Sequence, residues 1–109
     1  MTRKQLEKRI QQIRTELSAL GPLHPGSLSE QYNVCGTPGC RCKDPKHPKK
    51  HGPYHQLSYT WRGKSTTRFI RAEDVEGMRR KVANYKRFRE LTREWVDLSV
   101  AWERATDGD

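Results

Sequence analysis

Apolar residues are scarce in this chain, making up only 32% of its 109 residues, and 8% are aromatic. No run approaches the roughly 20 apolar residues of a membrane-spanning helix. The N-terminal M-T-R-K-Q-L-E-K has no apolar stretch of the signal-peptide kind. A cytoplasmic protein with no membrane partner is therefore expected. Cysteine is also sparse: there are three in all. An odd number of thiols in a reducing compartment does not build a disulfide framework, and three thiolates fall short of the four that iron-sulfur clusters usually take. Patterns of catalysis are missing too, with no Ser/His/Asp order, no phosphate-cradling glycine loop and no H-E-x-x-H; the chain reads as non-enzymatic. So thin an apolar complement makes residues 1–109 one small domain, and small domains usually need a staple or a partner.

What is present is concentrated between Val34 and Ile70. This stretch holds all three cysteines and three of the four histidines. It opens as C-G-T-P-G-C-R-C, with Cys35, Cys40 and Cys42 at close spacing. Three thiolates and one imidazole form a donor set that zinc prefers, and the intervening glycines and proline let a backbone wrap an ion. Buried cysteines are often only small apolar fillers. Here, however, their neighbours are Gly, Thr, Pro, Arg, Lys and Asp, which offer no core to fill. For the fourth Zn2+ ligand the candidates are His47, His51 and His55. His51 is preferred, since it precedes Gly52-Pro53 at the entrance to a strand, whereas His47 lies in a K-H-P-K-K tract and His55 falls within the strand. A catalytic zinc would need a neighbouring acid or base, and Asp44 is the only carboxylate in the cysteine segment.

The formal net charge is +9, and it is unevenly placed. Residues 35–71 carry nine basic side chains and one acidic one, whereas residues 72–109 carry eight basic and nine acidic. Local charge of this density draws polyanions, of which nucleic acid is the commonest large one. Arg41, Lys43, Lys46, Lys49, Lys50, Arg62, Lys64, Arg68 and Arg71 are the expected phosphate contacts. Tyr59 and Trp61 are read first as core, since the hairpin must bury one face, and second as a surface for base stacking. DNA and RNA are both open as targets. The competing reading is a helical protein-protein adaptor in which zinc is only structural.

In chain order, residues 1–20 form an amphipathic helix with Leu6, Ile10, Ile13, Leu17 and Leu20 as a heptad seam. Thr2 and Gln5 suit a capping box, and Gly21-Pro22 is expected to end the helix through a left-handed cap. The seam is expected to pack within its own chain, with a coiled-coil homodimer as the minor alternative. Residues 21–33 read as a loop leading to a short strand or turn. Then Y-H-Q-L-S-Y-T-W, Arg62-Gly63 and K-S-T-T-R-F-I spell a hairpin with a two-residue turn. With Arg62-Gly63 as the turn, Leu57, Tyr59 and Trp61 share a face with Thr66, Arg68 and Ile70; a turn at Gly63-Lys64 would shift the pairing by one residue. The cysteine and hairpin segment thus covers residues 33–71.

Residues 72–105 form the C-terminal helix, opened by Glu73, Asp74 and Glu76 at the positive end of its dipole. Its apolar positions define two faces about 150° apart, Val75 to Tyr85 and Leu91 to Trp102. The first half is expected to cover the hairpin and the second to meet the Leu6–Leu20 seam, either as one helix or with a break near Asn84 to Phe88. The predicted architecture is α+β: an N-terminal helix, a zinc-stapled knuckle with a β-hairpin, and a long C-terminal helix packing on both.

The order G-S-L-S-E-Q-Y, C-G-x-P-G-C-R-C, H-G-P-Y, L-S-Y-x-W-x-G-K-S-T-T-R-F, E-D-V and N-Y-x-R-F-R-E-L resembles a family of small bacterial and archaeal proteins classed as a domain of unknown function. The similarity runs from Gly21 to about Trp95. It implies an association with mobile elements and assigns no reaction. It also implies that Cys35, Cys40, Cys42 and His51 are ligands. His55 departs from the aromatic residue expected after Tyr54, which keeps it open as an alternative ligand.

Overall fold

The computed structural model describes residues 1–33 and 51–105, without the side chains of residues 33, 51 and 52. Its described elements are α1 (Arg3–Ala19), β1 (Ser27–Asn33), β2 (His51–Trp61), β3 (Lys64–Ile70) and α2 (Val75–Arg104), with a 3-10 turn at Ala72–Asp74. The chain divides into two compact units, one formed by residues 1–24 and 83–109, the other by residues 25–82.

In the first unit, α1 begins with the expected capping box: Gln5 N donates to Thr2 Oγ1 and Thr2 N donates to Gln5 Oε1. Two of the orphan donors of the first turn are satisfied in this way. The other end differs from expectation. Leu20 closes the helix in an extended conformation, its N–H reaching Leu17 O, and Gly21 has no positive φ. The Asn84 amide then holds the departing chain by donating to Pro22 O at 2.9 Å. A side-chain hydrogen bond replaces the left-handed turn.

The seam of α1 is covered by the second half of α2, running antiparallel. Leu6, Ile13 and Leu91 are buried, and Trp102 Nε1 donates to Glu7 Oε1 while the Arg3 guanidinium lies over its ring. Two bidentate ion pairs flank these contacts. Arg9 donates to both oxygens of Glu94 at 2.7 and 2.8 Å, and Arg87 donates to both oxygens of Glu16. The hydrogen bond from Arg87, ahead of its charge, holds the Glu16 carboxyl below the usual carboxylate range, and Arg9 does the same for Glu94.

In the second unit the hairpin is joined by a further strand. The sheet is antiparallel in the order β1-β2-β3. Ser27–Asn33, expected as a loop or short strand, pairs along β2 with Leu28 opposite Leu57 and Glu30 opposite His55. β2 starts at His51, so Gly52-Pro53 lies inside the strand instead of before it. Proline donates nothing to a ladder, and the sheet accommodates it where the register shifts between Gln31 and Asn33. Gly26 enters β1 at φ 124°, and a Cβ there would stand 2.6 Å from Ser58 O. Only glycine fits this approach.

The β2–β3 register is the expected one: Trp61 opposite Lys64, Tyr59 opposite Thr66, Leu57 opposite Arg68. On the buried face, Leu57 and Ile70 pack with Val75 and Met78 of α2, joined at the margin by Leu28, Tyr59 and Val82. The opposite face is polar near the turn, with Ser58 and Thr67 hydroxyls 3.3 Å apart and those of Thr60 and Ser65 3.1 Å apart, and carries exposed Tyr54 and Phe69 further along. α2 is unbroken from Val75 to Arg104, so one continuous helix uses both of its apolar faces.

Candidate nucleic-acid interface

The turn end of the hairpin gathers most of the described candidate residues. Arg62 and Gly63 have φ of 52° and 75°, the left-handed pair of a type I′ turn, whose twist matches that of the flanking strands. Glycine adopts this conformation freely. Arginine does so at a cost of roughly 1–2 kcal/mol, and asparagine or aspartate is the usual occupant. The Arg62 guanidinium lies over the Trp61 ring at 4.7 Å from its centroid.

Tyr59 and Trp61 part company here. Tyr59 packs against the core cluster, whereas Trp61 is 62% exposed beyond its end. Lys64 sits directly across from Trp61, and Arg68 lies on the same face further along β3. All three cations are exposed, and none forms an ion pair among the described residues. Arg71 is different, with a carboxylate of Glu73 at 3.7 Å.

Where β3 leads into α2, an open cleft of about 520 Å³ is lined by Arg68, Arg71, Arg80 and Lys81 together with Glu73, Asp74 and Glu76. Arg80 and Lys81 were not legible as neighbours of the hairpin, because neither is among the apolar positions by which helical periodicity marks the packing faces of α2. The signal was Met78 and Val82: once these cover the sheet, the basic residues between them border it.

The remaining sequence candidates are placed less fully. Cys35, Cys40, Cys42, His47, Arg41, Lys43, Lys46, Lys49 and Lys50 lie outside the described residues, as does the side chain of His51. The His51 backbone opens β2 opposite Asn33. His55 is within β2, its Nε2 3.5 Å from Glu30 Oε1. No group of metal-binding side chains occurs among the described residues, and no described helix is long and apolar enough to cross a membrane.

These features define a small α+β protein whose three-stranded sheet presents a basic hairpin tip. Residues 3–80 match a family described as Domain of unknown function (DUF6788), and the chain belongs to that family. The match begins in α1, ahead of the G-S-L-S-E-Q-Y motif, and ends in the second turn of α2. No curated protein and no solved structure matches the chain.

Proposed function

We propose that this protein is a non-enzymatic, zinc-stapled module that binds nucleic acid through its β2–β3 hairpin. The observation that carries the reading is Arg62. An arginine occupies a left-handed turn position better suited to asparagine or glycine, stacked on an exposed tryptophan. Local strain of this kind accumulates where a side chain is wanted for contact. The pair offers an aromatic surface for a base and a fork for a phosphate, with Lys64 and Arg68 alongside.

The zinc belongs to the same reading. Asn33 pairs with His51 where β2 begins, and Cys35 follows Asn33 by two residues in the sequence. Cys35 and His51 thus each lie within two residues of that pair in the sequence. With Cys40 and Cys42 they supply three thiolates and an imidazole, a set that closes a structural zinc site. His51 is kept as the fourth ligand because it lies next to the cysteine segment, whereas His55 lies four residues further along β2. The lysines of segment 34–50, with Arg41, would add phosphate contacts.

Two measurements test the proposal. Mobility shifts on duplex DNA, single-stranded DNA and RNA at several salt concentrations should show log K falling linearly with log salt, at about −0.9 per contact on duplex or about −0.7 on a single strand. Replacing Lys64 and Arg68 by Ala should flatten that slope. Absence of binding at physiological salt overturns the interface and leaves the adaptor reading. Elemental analysis should find one zinc per chain, lost on mutating Cys40, with EDTA lowering the melting temperature. Protein purified without chelator that contains no zinc and melts unchanged in EDTA overturns the staple.

A further inference from the structure

The outward side of α2 in the helical unit carries an apolar surface that the described residues leave uncovered. At about 100° per residue, Leu91, Glu94 and Trp102 point to α1, while Val96 lies on the far side with Thr92, Val100 and Glu103 close by. Val96 is 62% exposed and Val100 47%. With Thr92, Trp95 and Ser99 they line a shallow groove of about 600 Å³. An apolar stripe of this kind on an otherwise charged helix marks an interaction surface.

The charges along the stripe say what covers it. Arg89 lies about two turns before Val96 and Glu103 about two turns after it, both on the outward side. Neither is ion-paired among the described residues. A two-fold axis through an antiparallel helix pair brings each residue opposite the one equally far beyond the crossing point. Charge of opposite sign at equal distances from Val96 is therefore self-complementary under that axis.

We infer that this face of α2 binds a second copy of the chain, the two helices running antiparallel and crossing at Val96. Val96 of one protomer meets Val96 of its partner, Thr92 meets Val100, and Arg89 meets Glu103 twice over. At the rim Arg93 comes near Asp97. A parallel pair would set Arg89 against Arg89 and Glu103 against Glu103, so electrostatics selects the antiparallel arrangement. This surface is distinct from the Leu6–Leu20 seam, which α2 of the same chain already occupies.

Sedimentation equilibrium of the full chain, in zinc-containing buffer at neutral pH, tests the inference. A concentration-dependent dimer is expected. Val96→Glu buries two facing charges and should raise the dimer Kd by about a hundredfold or more. Arg89→Glu and Glu103→Arg should each weaken the dimer about fivefold, and the double variant should return it to the wild-type value. The substituted side chains contribute nothing to the unit's core, and circular dichroism checks that every variant keeps its helix content. A chain that remains monomeric at its highest soluble concentration overturns the inference. So does a dimer indifferent to Val96→Glu, which would lie on another surface. A double variant no tighter than the single ones excludes the antiparallel register even where Val96→Glu fails to fold.

Discussion

The α1–α2 seam and the hairpin tip use the same residue type in opposite ways. In the helical unit, Arg9 and Arg87 each grip a carboxylate with two hydrogen bonds, so their charge is neutralised within the chain. At the hairpin tip, Arg62, Lys64 and Arg68 have no carboxylate partner among the described residues, and the Trp61 ring beside Arg62 is exposed. A paired arginine orders a helix interface; an unpaired one beside an open ring keeps its hydrogen-bonding capacity for a ligand. Net charge alone cannot make this distinction. α1 and the hairpin are both basic in sequence, yet among the described residues Arg9 of α1 is bound to a carboxylate while Arg62, Lys64 and Arg68 are not.

The largest expected effect sharpens the comparison on its structural side. Gly26→Ala places a Cβ against Ser58 O and strains a positive φ, and should cost about 3 kcal/mol. The loss should fall on the sheet unit. Amide hydrogen exchange should therefore accelerate in β1 and β2 before it does so in α1; uniform acceleration would make the two units one cooperative block.

Next in size is the effect at the tip. Trp61→Ala should weaken nucleic-acid binding by about 1–3 kcal/mol, the worth of one stacked base, with little change in melting temperature because the ring is exposed. Arg62→Asn separates strain from function. Relief of the left-handed arginine should raise the melting temperature slightly while binding weakens. If stability and binding move in the same direction, Arg62 serves the turn and not a ligand.

The smallest effect concerns the paired arginines. Because the carboxyls of Glu16 and Glu94 titrate below the ordinary value of 4.5, their stabilisation is complete above that pH and is lost as the pH falls through the depressed folded value. Glu16→Gln and Glu94→Gln should thus lower the melting temperature at neutral pH. The gap from the wild type should close in acid. A gap independent of pH would mean that packing, and not charge, is what these residues contribute. Both pairs are partly exposed, which keeps the effect modest and makes it shrink in salt.

The local signals in the chain determined α1 with its Thr2–Gln5 cap, the turn at Arg62-Gly63 and the register that follows from it. The spacing of apolar residues determined that α2 has two working faces. Each of these depends on neighbours a few residues apart, where cap hydrogen bonds, turn conformation and helical period act directly. Tertiary structure alone decided that S-L-S-E-Q-Y-N is a strand, since its polar run has little to bury until β2 supplies the ladder. It also decided that Leu20 and Asn84, not a left-handed Gly21, finish α1. Finally, it separated Tyr59 from Trp61 and Arg87 from Arg62, pairs alike in sequence whose surroundings differ because partners distant in the chain reach one of each pair and leave the other exposed.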